Sequence, residues 1–148
     1  MNSESKNFGA YIDRTIKIIR HNYVRTFKKL GVDITTEQWV IINALHHQDG
    51  LSQTELASGS FKNAPTVSRI VDLLCKKGLT ERKRFESDRR QYKVCLTAKG
   101  KDTFEKVYPS IIELRQQGWA NLNDKDYDTF LRIINQIFQN FLPEENAS

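Results

Sequence analysis

Two stretches of this sequence hold the side chains able to do chemistry. In the first, Lys62, Asn63, Thr66, Ser68 and Arg69 fall within two helical turns of "APTVSR"; in the second, Arg84 stands beside the polar tip "ESDRR", which holds Asp88, Arg89 and Arg90. Cations set beside hydroxyl and carboxamide groups suit phosphate oxygens and base edges. Arg pairs bidentately with guanine, Ser or Thr contacts several bases, and each cation that meets phosphate releases a counterion. The chemistry is recognition of a polyanion.

Charge distribution agrees. Residues 60–101 carry twelve Lys or Arg against four Asp or Glu, a net +8, while the other residues of the +5 chain sum to −3. Such a block is the footprint of a polyanion-binding face. Enzyme classes fare poorly, because there is no phosphate-cradling Gly motif, no nucleophile signature and no acid pair, and no cofactor is implied. Metal binding fares no better: His46 and His47 are adjacent, so they point about 100° apart on a helix, and no Cys/His/Glu group has ligand spacing. No apolar run is long enough for a membrane span, and the first residues lack a secretory h-region, so the expected location is the cytoplasm. Cys75 and Cys95 are expected to be reduced and packed, although Cys95 stands near cations able to lower its pKa.

The elements that must position these groups follow from periodicity. Phe8, Ile12, Ile16, Ile19, Tyr23, Phe27 and Leu30 stack on one stripe of a helix of about 22 residues, stopped by Gly31. Thr35 with Gln38 caps a second helix, and Ser52 with Glu55 caps a short third one. Asn63 caps a fourth, with Pro65 in its first turn and Gly78 at its stop. There Val67, Ile70, Val71 and Leu74 face inward, leaving Thr66, Ser68, Arg69 and Asp72 nearer the outside. Alternation then replaces the helical period: Tyr92, Val94 and Leu96 share one strand face, with Lys93 and Cys95 opposite, and "LTERKRF" is the antiparallel partner. Thr97 caps a fifth helix and Asn123 a sixth, whose stripe of Tyr127, Phe130, Leu131, Ile134, Ile137, Phe138 and Phe141 must find a partner, in the same chain or in a second copy.

Short helix, turn, longer helix and basic hairpin, in that order, define a winged helix-turn-helix. The expected fold class is mainly α with a small β-hairpin wing, six helices in one domain over 1–148. Ser52, Gln53, Lys62 and Asn63 stand at helix starts, where free backbone N–H groups and the helix dipole attract phosphate. Arg69 is the first choice for direct base readout. A charged hairpin tip also keeps a strand edge soluble, but two adjacent arginines suit the negative potential of a narrow minor groove.

The stretches "LSQTELA", "NAPTVSRIVDLLCKKGLTER" and "SDRRQYKVCLTAKGK", between long terminal helices, resemble the MarR-type (multiple antibiotic resistance regulator) transcription factors over nearly the whole chain. The resemblance implies a ligand-responsive repressor that binds a roughly palindromic double-stranded DNA operator as a homodimer. Residues 33–97 would form the DNA-binding lobe, and 5–30 and 98–143 the dimerisation helices. It also implies that Asp88 aims Arg90 by an ion pair. Members sense small aromatic acids, oxidants or metals where dimer helices meet the lobe. Candidates to wall a pocket for a small aromatic or anionic effector are Tyr11, Tyr23, Trp39, His46, Phe104, Tyr108 and Arg115. The family's oxidation sensors carry a reactive Cys in the first helix, where this chain has none. An architectural DNA-binding protein, or a winged-helix protein-interaction module, is the competing function class.

Overall fold

In a computed structural model the protein is described over residues 3–60, 62–88 and 90–143. These form a short 3-10 turn (Ser3–Ser5) and, in order, α1 (Phe8–Lys29), α2 (Thr36–His47), β1 (Leu51–Ser52), α3 (Gln53–Ser60), α4 (Ala64–Lys76), β2 (Thr80–Arg84), β3 (Tyr92–Leu96), α5 (Ala98–Gly118) and α6 (Asp124–Phe141). The chain divides into two compact units between Ile112 and Glu113.

Local chemistry sets the helix ends. Thr35 and Gln38 exchange side-chain and backbone hydrogen bonds at the start of α2, as do Ser52 and Glu55 at α3 and Asn123 and Asp126 at α6. Asn63 Oδ1 accepts from the Thr66 N–H at α4, with Pro65 in the first turn where its missing donor costs nothing. At the far end of α4 the Gly78 and Leu79 N–H groups return to the Cys75 and Leu74 carbonyls. The Gly31 and Val32 N–H groups close α1 in the same way.

The core of the first unit lies between these helices and a small sheet. Ile41, Ile42 and Leu45 of α2, Val67, Ile70, Val71 and Leu74 of α4, Val94 of β3, and Val107 and Ile111 of α5 are each no more than 1% exposed. Each such side chain contributes roughly 1.5–3 kcal/mol by leaving water. Gln38 is buried among them without penalty, because its Oε1 accepts from Lys77 Nζ at 2.9 Å and from the Thr35 N–H at 3.2 Å. α5 is held close to the base of the wing: Thr97 Oγ1 donates to the Gly78 carbonyl at 2.6 Å, and a Cβ on buried Gly100 would be driven into the Leu79 carbonyl.

The sheet departs from expectation twice. It has three strands in the order β1-β3-β2, all antiparallel, with Leu51 opposite Val94 and Thr80 opposite Leu96. β1 has two residues, too few for any alternation to reveal it. The second departure is that Val94, Cys95 and Leu96 are all buried, in place of a two-faced strand. Gly50, at φ +76°, carries the backbone over the outer face; a Cβ there would lie 3.9 Å from Cys95 Sγ. Beside it Asp49 accepts from the Leu96 N–H at 3.1 Å.

The second unit contributes the end of α5 and all of α6. Trp119 stacks edge-on against Tyr127 with centroids 5.4 Å apart and lies 6.0 Å from Phe130. Along α6, Tyr127, Phe130 and Ile133 remain nearly half exposed.

Candidate nucleic-acid interface

Three elements of the first unit meet through one arginine. Arg82 lies on β2 on the same face as buried Thr80, so its guanidinium turns under the wing toward the helices. Nε and Nη2 donate to Gln53 Oε1 at 3.0 and 2.9 Å, and Nη2 also reaches Asp72 Oδ1 at 2.7 Å and the Ser68 carbonyl at 3.5 Å. Nη1 stands 4.0 Å from Cys75 Sγ, which in turn lies 3.3 Å from Thr80 Oγ1. The start of α3, the middle of α4 and the first wing strand are thereby fixed to one another. Beside this bolt is a groove of about 490 Å³ lined by Ser52, Gln53, Thr54, Arg82, Gln91 and Tyr92. Arg82 and Asp72 are absent from the sequence-derived set of binding residues. The usable signal was alternation: counting by twos from buried Thr80 puts Arg82 on the inner face.

The polar candidates share a property that only the geometry reveals. Ser52 Oγ accepts from the Glu55 N–H, Gln53 Oε1 from Arg82, and Asn63 Oδ1 from the Thr66 N–H. Each acceptor oxygen is thus occupied within the protein, whereas the Ser52 hydroxyl proton and the Gln53 and Asn63 amide protons have no acceptor among the described residues. Side chains whose acceptors are taken and whose donors remain are suited to an anion.

The cations are arranged differently. Lys62 Nζ and Arg69 Nη2 lie 3.6 and 3.5 Å from the two carboxylate oxygens of Glu37 in the first turn of α2. Thr66 and Ser68 are half-buried beside exposed Arg69. On the wing, Arg84 lies over the Tyr92 ring, 5.7 Å from its centroid. The tip is closed by the Phe85 N–H on the Gln91 carbonyl, and Asp88 Oδ1 accepts from the Arg90 backbone N–H at 2.9 Å. Asp88 therefore engages Arg90 through the main chain, where an ion pair between the side chains was expected; a carboxylate two residues back is in reach of the amide without ordering a long side chain. Arg90 itself is exposed, and Arg89 lies outside the described residues.

The candidates for an effector pocket fall into three groups. Trp39, His46 and Tyr108 all stack on Phe104, with centroids 5.4, 3.6 and 4.8 Å away. Tyr23 joins this column through Phe27. Trp39 and Phe104 are each 3% exposed, so their rings serve as core, and the reachable rims belong to exposed His46 and half-buried Tyr108. Tyr11 is exposed elsewhere on α1 under the Arg14 guanidinium, and Arg115 belongs to the second unit. Among the described residues no three His, Cys, Asp or Glu side chains gather to hold a metal, and no helix is long and apolar enough to cross a membrane.

Cys95 is a packed thiol, and the cations near it do not lower its pKa. Burial pushes the thiol up, Asp49 adds to the rise, and the opposing pull of Lys83 and Lys93 is smaller. Proximity to cations does not make a thiolate when Cys95 is only 6% exposed.

A three-stranded wing bolted to a helix-turn-helix pair defines a winged helix-turn-helix protein. Residues 32–91 of the chain match the model of the MarR family. Among its relatives is the HTH-type transcriptional repressor YetL of Bacillus subtilis, 27% identical over 100 residues that span 68% of this chain and 59% of YetL. The solved structure of S. aureus MepR in complex with DNA superposes with a TM-score of 0.78 at 24% identity, covering 89% of this chain and 97% of MepR. Bordetella bronchiseptica BpsR, whose DNA binding is regulated by 6-hydroxynicotinic acid, superposes at 0.80 with 20% identity, over 93% and 97% of the two chains. These structural likenesses establish the fold.

Proposed function

We propose that this chain binds a roughly palindromic operator as a homodimer and represses transcription until a small aromatic or anionic effector releases it. The observation that carries the reading is the set of three helix-start side chains, Ser52, Gln53 and Asn63, with acceptors occupied and donors free, on elements that Arg82 fixes to the wing. The N-terminal half of α4 enters the major groove, where Thr66, Ser68 and Arg69 meet base edges. Ser52, Gln53, Lys62 and Asn63 hold phosphates, Arg90 enters the adjacent minor groove, and Arg84 and Arg89 hold the backbone beside it. Two lobes related by a two-fold axis read half-sites about 10 base pairs apart. The cytoplasm, where the operator lies, is the site of action.

Repression and effector control are supported by the repressor name of YetL and by the regulation of BpsR by an aromatic acid. In this chain the rims of His46 and Tyr108 above Phe104 are the part of the aromatic column open to such a molecule. The test is selection of bound fragments from the source genome, then titration of the best fragment and a scrambled duplex over a range of salt. A regulator prefers its fragment by about a thousandfold or more and loses affinity steeply with salt. Equal affinity for both duplexes makes the protein an architectural DNA binder instead.

A further inference from the structure

One acid is divided between two of the cations that approach DNA. Glu37 sets Oε1 3.6 Å from Lys62 Nζ, just before α4, and Oε2 3.5 Å from Arg69 Nη2, in the second turn of α4. The dipole of α2 accounts for an acid in its first turn, but not for the sharing of its two oxygens between cations from another element. Stability accounts for little of it: the Arg69 and Glu37 side chains are 60% and 44% exposed, and the Lys62 pair, though Lys62 is 23% exposed, is long at 3.6 Å and shares the same solvated carboxylate. A carboxylate on a surface that meets phosphate works against binding in general.

Charge and donor geometry do separate work in DNA recognition: charge drives attachment to any duplex, whereas the direction of N–H groups reads base edges. Glu37 opposes the charge of Lys62 and Arg69 while occupying only Nη2 of the Arg69 fork. Nε and Nη1 of Arg69 have no acceptor among the described residues. We propose that Glu37 is a positioning residue for sequence discrimination, damping the attraction of Arg69 and Lys62 for any phosphate while presenting the free edge of the Arg69 guanidinium to a base. Specificity is a difference of affinities, and it grows when the wrong complex is penalised more than the right one. The inference rests on α4 being the DNA-reading helix.

The experiment compares wild type, Glu37→Gln and Glu105→Gln, the last removing a carboxylate of α5 that has no ion pair among the described residues. Each is titrated with the selected operator and a scrambled duplex across salt, after melting curves establish equal folding. Glu37→Gln is expected to tighten the scrambled duplex about fivefold or more and the operator less, and to steepen the salt slope of the scrambled duplex by about one to two as Lys62 and Arg69 turn to phosphates. Glu105→Gln should leave the ratio of affinities unchanged. A ratio unaltered in Glu37→Gln, or lowered equally by Glu105→Gln, overturns the role of Glu37 while leaving the DNA-binding reading intact. A wild-type protein that binds both duplexes equally overturns the role of Glu37 and the sequence-specific regulation together, leaving an architectural DNA binder.

Discussion

Arg82 Nη2 lies 2.7 Å from Asp72 Oδ1, joining the first strand of the wing to the outer face of α4. The same guanidinium fixes Gln53 at the start of α3, so a single side chain sets the angle between the wing and both helices of the lobe. Replacing Arg82 with Ala should cost about 1–2 kcal/mol of stability, a modest figure because Asp72 is 54% exposed and is rehydrated when its partner leaves. The melting temperature should fall by roughly 2–6 °C. Operator affinity should fall about tenfold or more, since Gln53 and the wing lose their orientation together. Arg82→Lys should not restore it, because an ammonium cannot span Gln53 and Asp72 as a planar fork does. Thermal melts beside DNA titrations separate the two effects; a lysine variant with wild-type affinity would refute the bolt.

Asp88 acts on Arg90 through the backbone, which makes a distinction between two substitutions. Asn at position 88 keeps a carbonyl oxygen to accept the Arg90 N–H and Ala does not. Operator affinity should therefore survive Asp88→Asn and weaken in Asp88→Ala. Arg90→Ala removes the cation proposed to enter the minor groove: binding should weaken strongly, the salt slope should shrink by about one, and the melting curve should not move. Equal losses for both Asp88 variants would show that its charge matters, and unchanged binding by Arg90→Ala would remove the tip from the interface.

How much of this was legible beforehand divides along physical lines. Helix caps are local, so Thr35, Asn63 and Asn123 could be read as caps from three or four residues, and the inward stripe of α4 emerged from spacing alone. β1 could not be read, because its two residues are a strand only by virtue of β3 beside them. The same holds for the outer face of Cys95, which Gly50 and Asp49 cover from another element. In the interface the residue types were visible but not their commitments. That Gln53 has its acceptor occupied, or that Glu37 stands between Lys62 and Arg69, depends on contacts 29, 25 and 32 positions apart in the chain.

The raised Cys95 pKa has a signed consequence for stability. The folded protein holds the thiol proton above the pH at which the unfolded chain, with a thiol pKa near ~8.5, releases it. Between those two points the native state binds more protons, so stability falls as pH rises above about 8.5, by at most roughly 1.4 kcal/mol per pH unit from this group. Cys95→Ala should show a shallower fall over pH 8.5–10 in denaturant titrations, whatever its stability at pH 7. At pH 8 Cys95 should also resist alkylation in the native protein. Rapid modification of Cys95 without unfolding would contradict its burial.

The terminal helices each present apolar surface that a second copy would cover. On α1, Ile12, Ile16 and Ile19 follow one another at spacings of four and three and are 39%, 37% and 44% exposed; on α6, Tyr127, Phe130 and Ile133 are 49%, 49% and 46% exposed. Contiguous stripes of this kind are uncommon on monomers, and covering them recovers part of the roughly 1.5–3 kcal/mol available per large side chain. Sedimentation equilibrium at micromolar concentration should give the mass of two chains. Ile16→Asp paired with Ile133→Asp should give one, with the helical circular dichroism of the reading lobe kept and operator affinity lost to a greater degree than half-site affinity. A wild-type protein that sediments as a single chain while binding its full operator with unit stoichiometry would rule out the two-fold assembly.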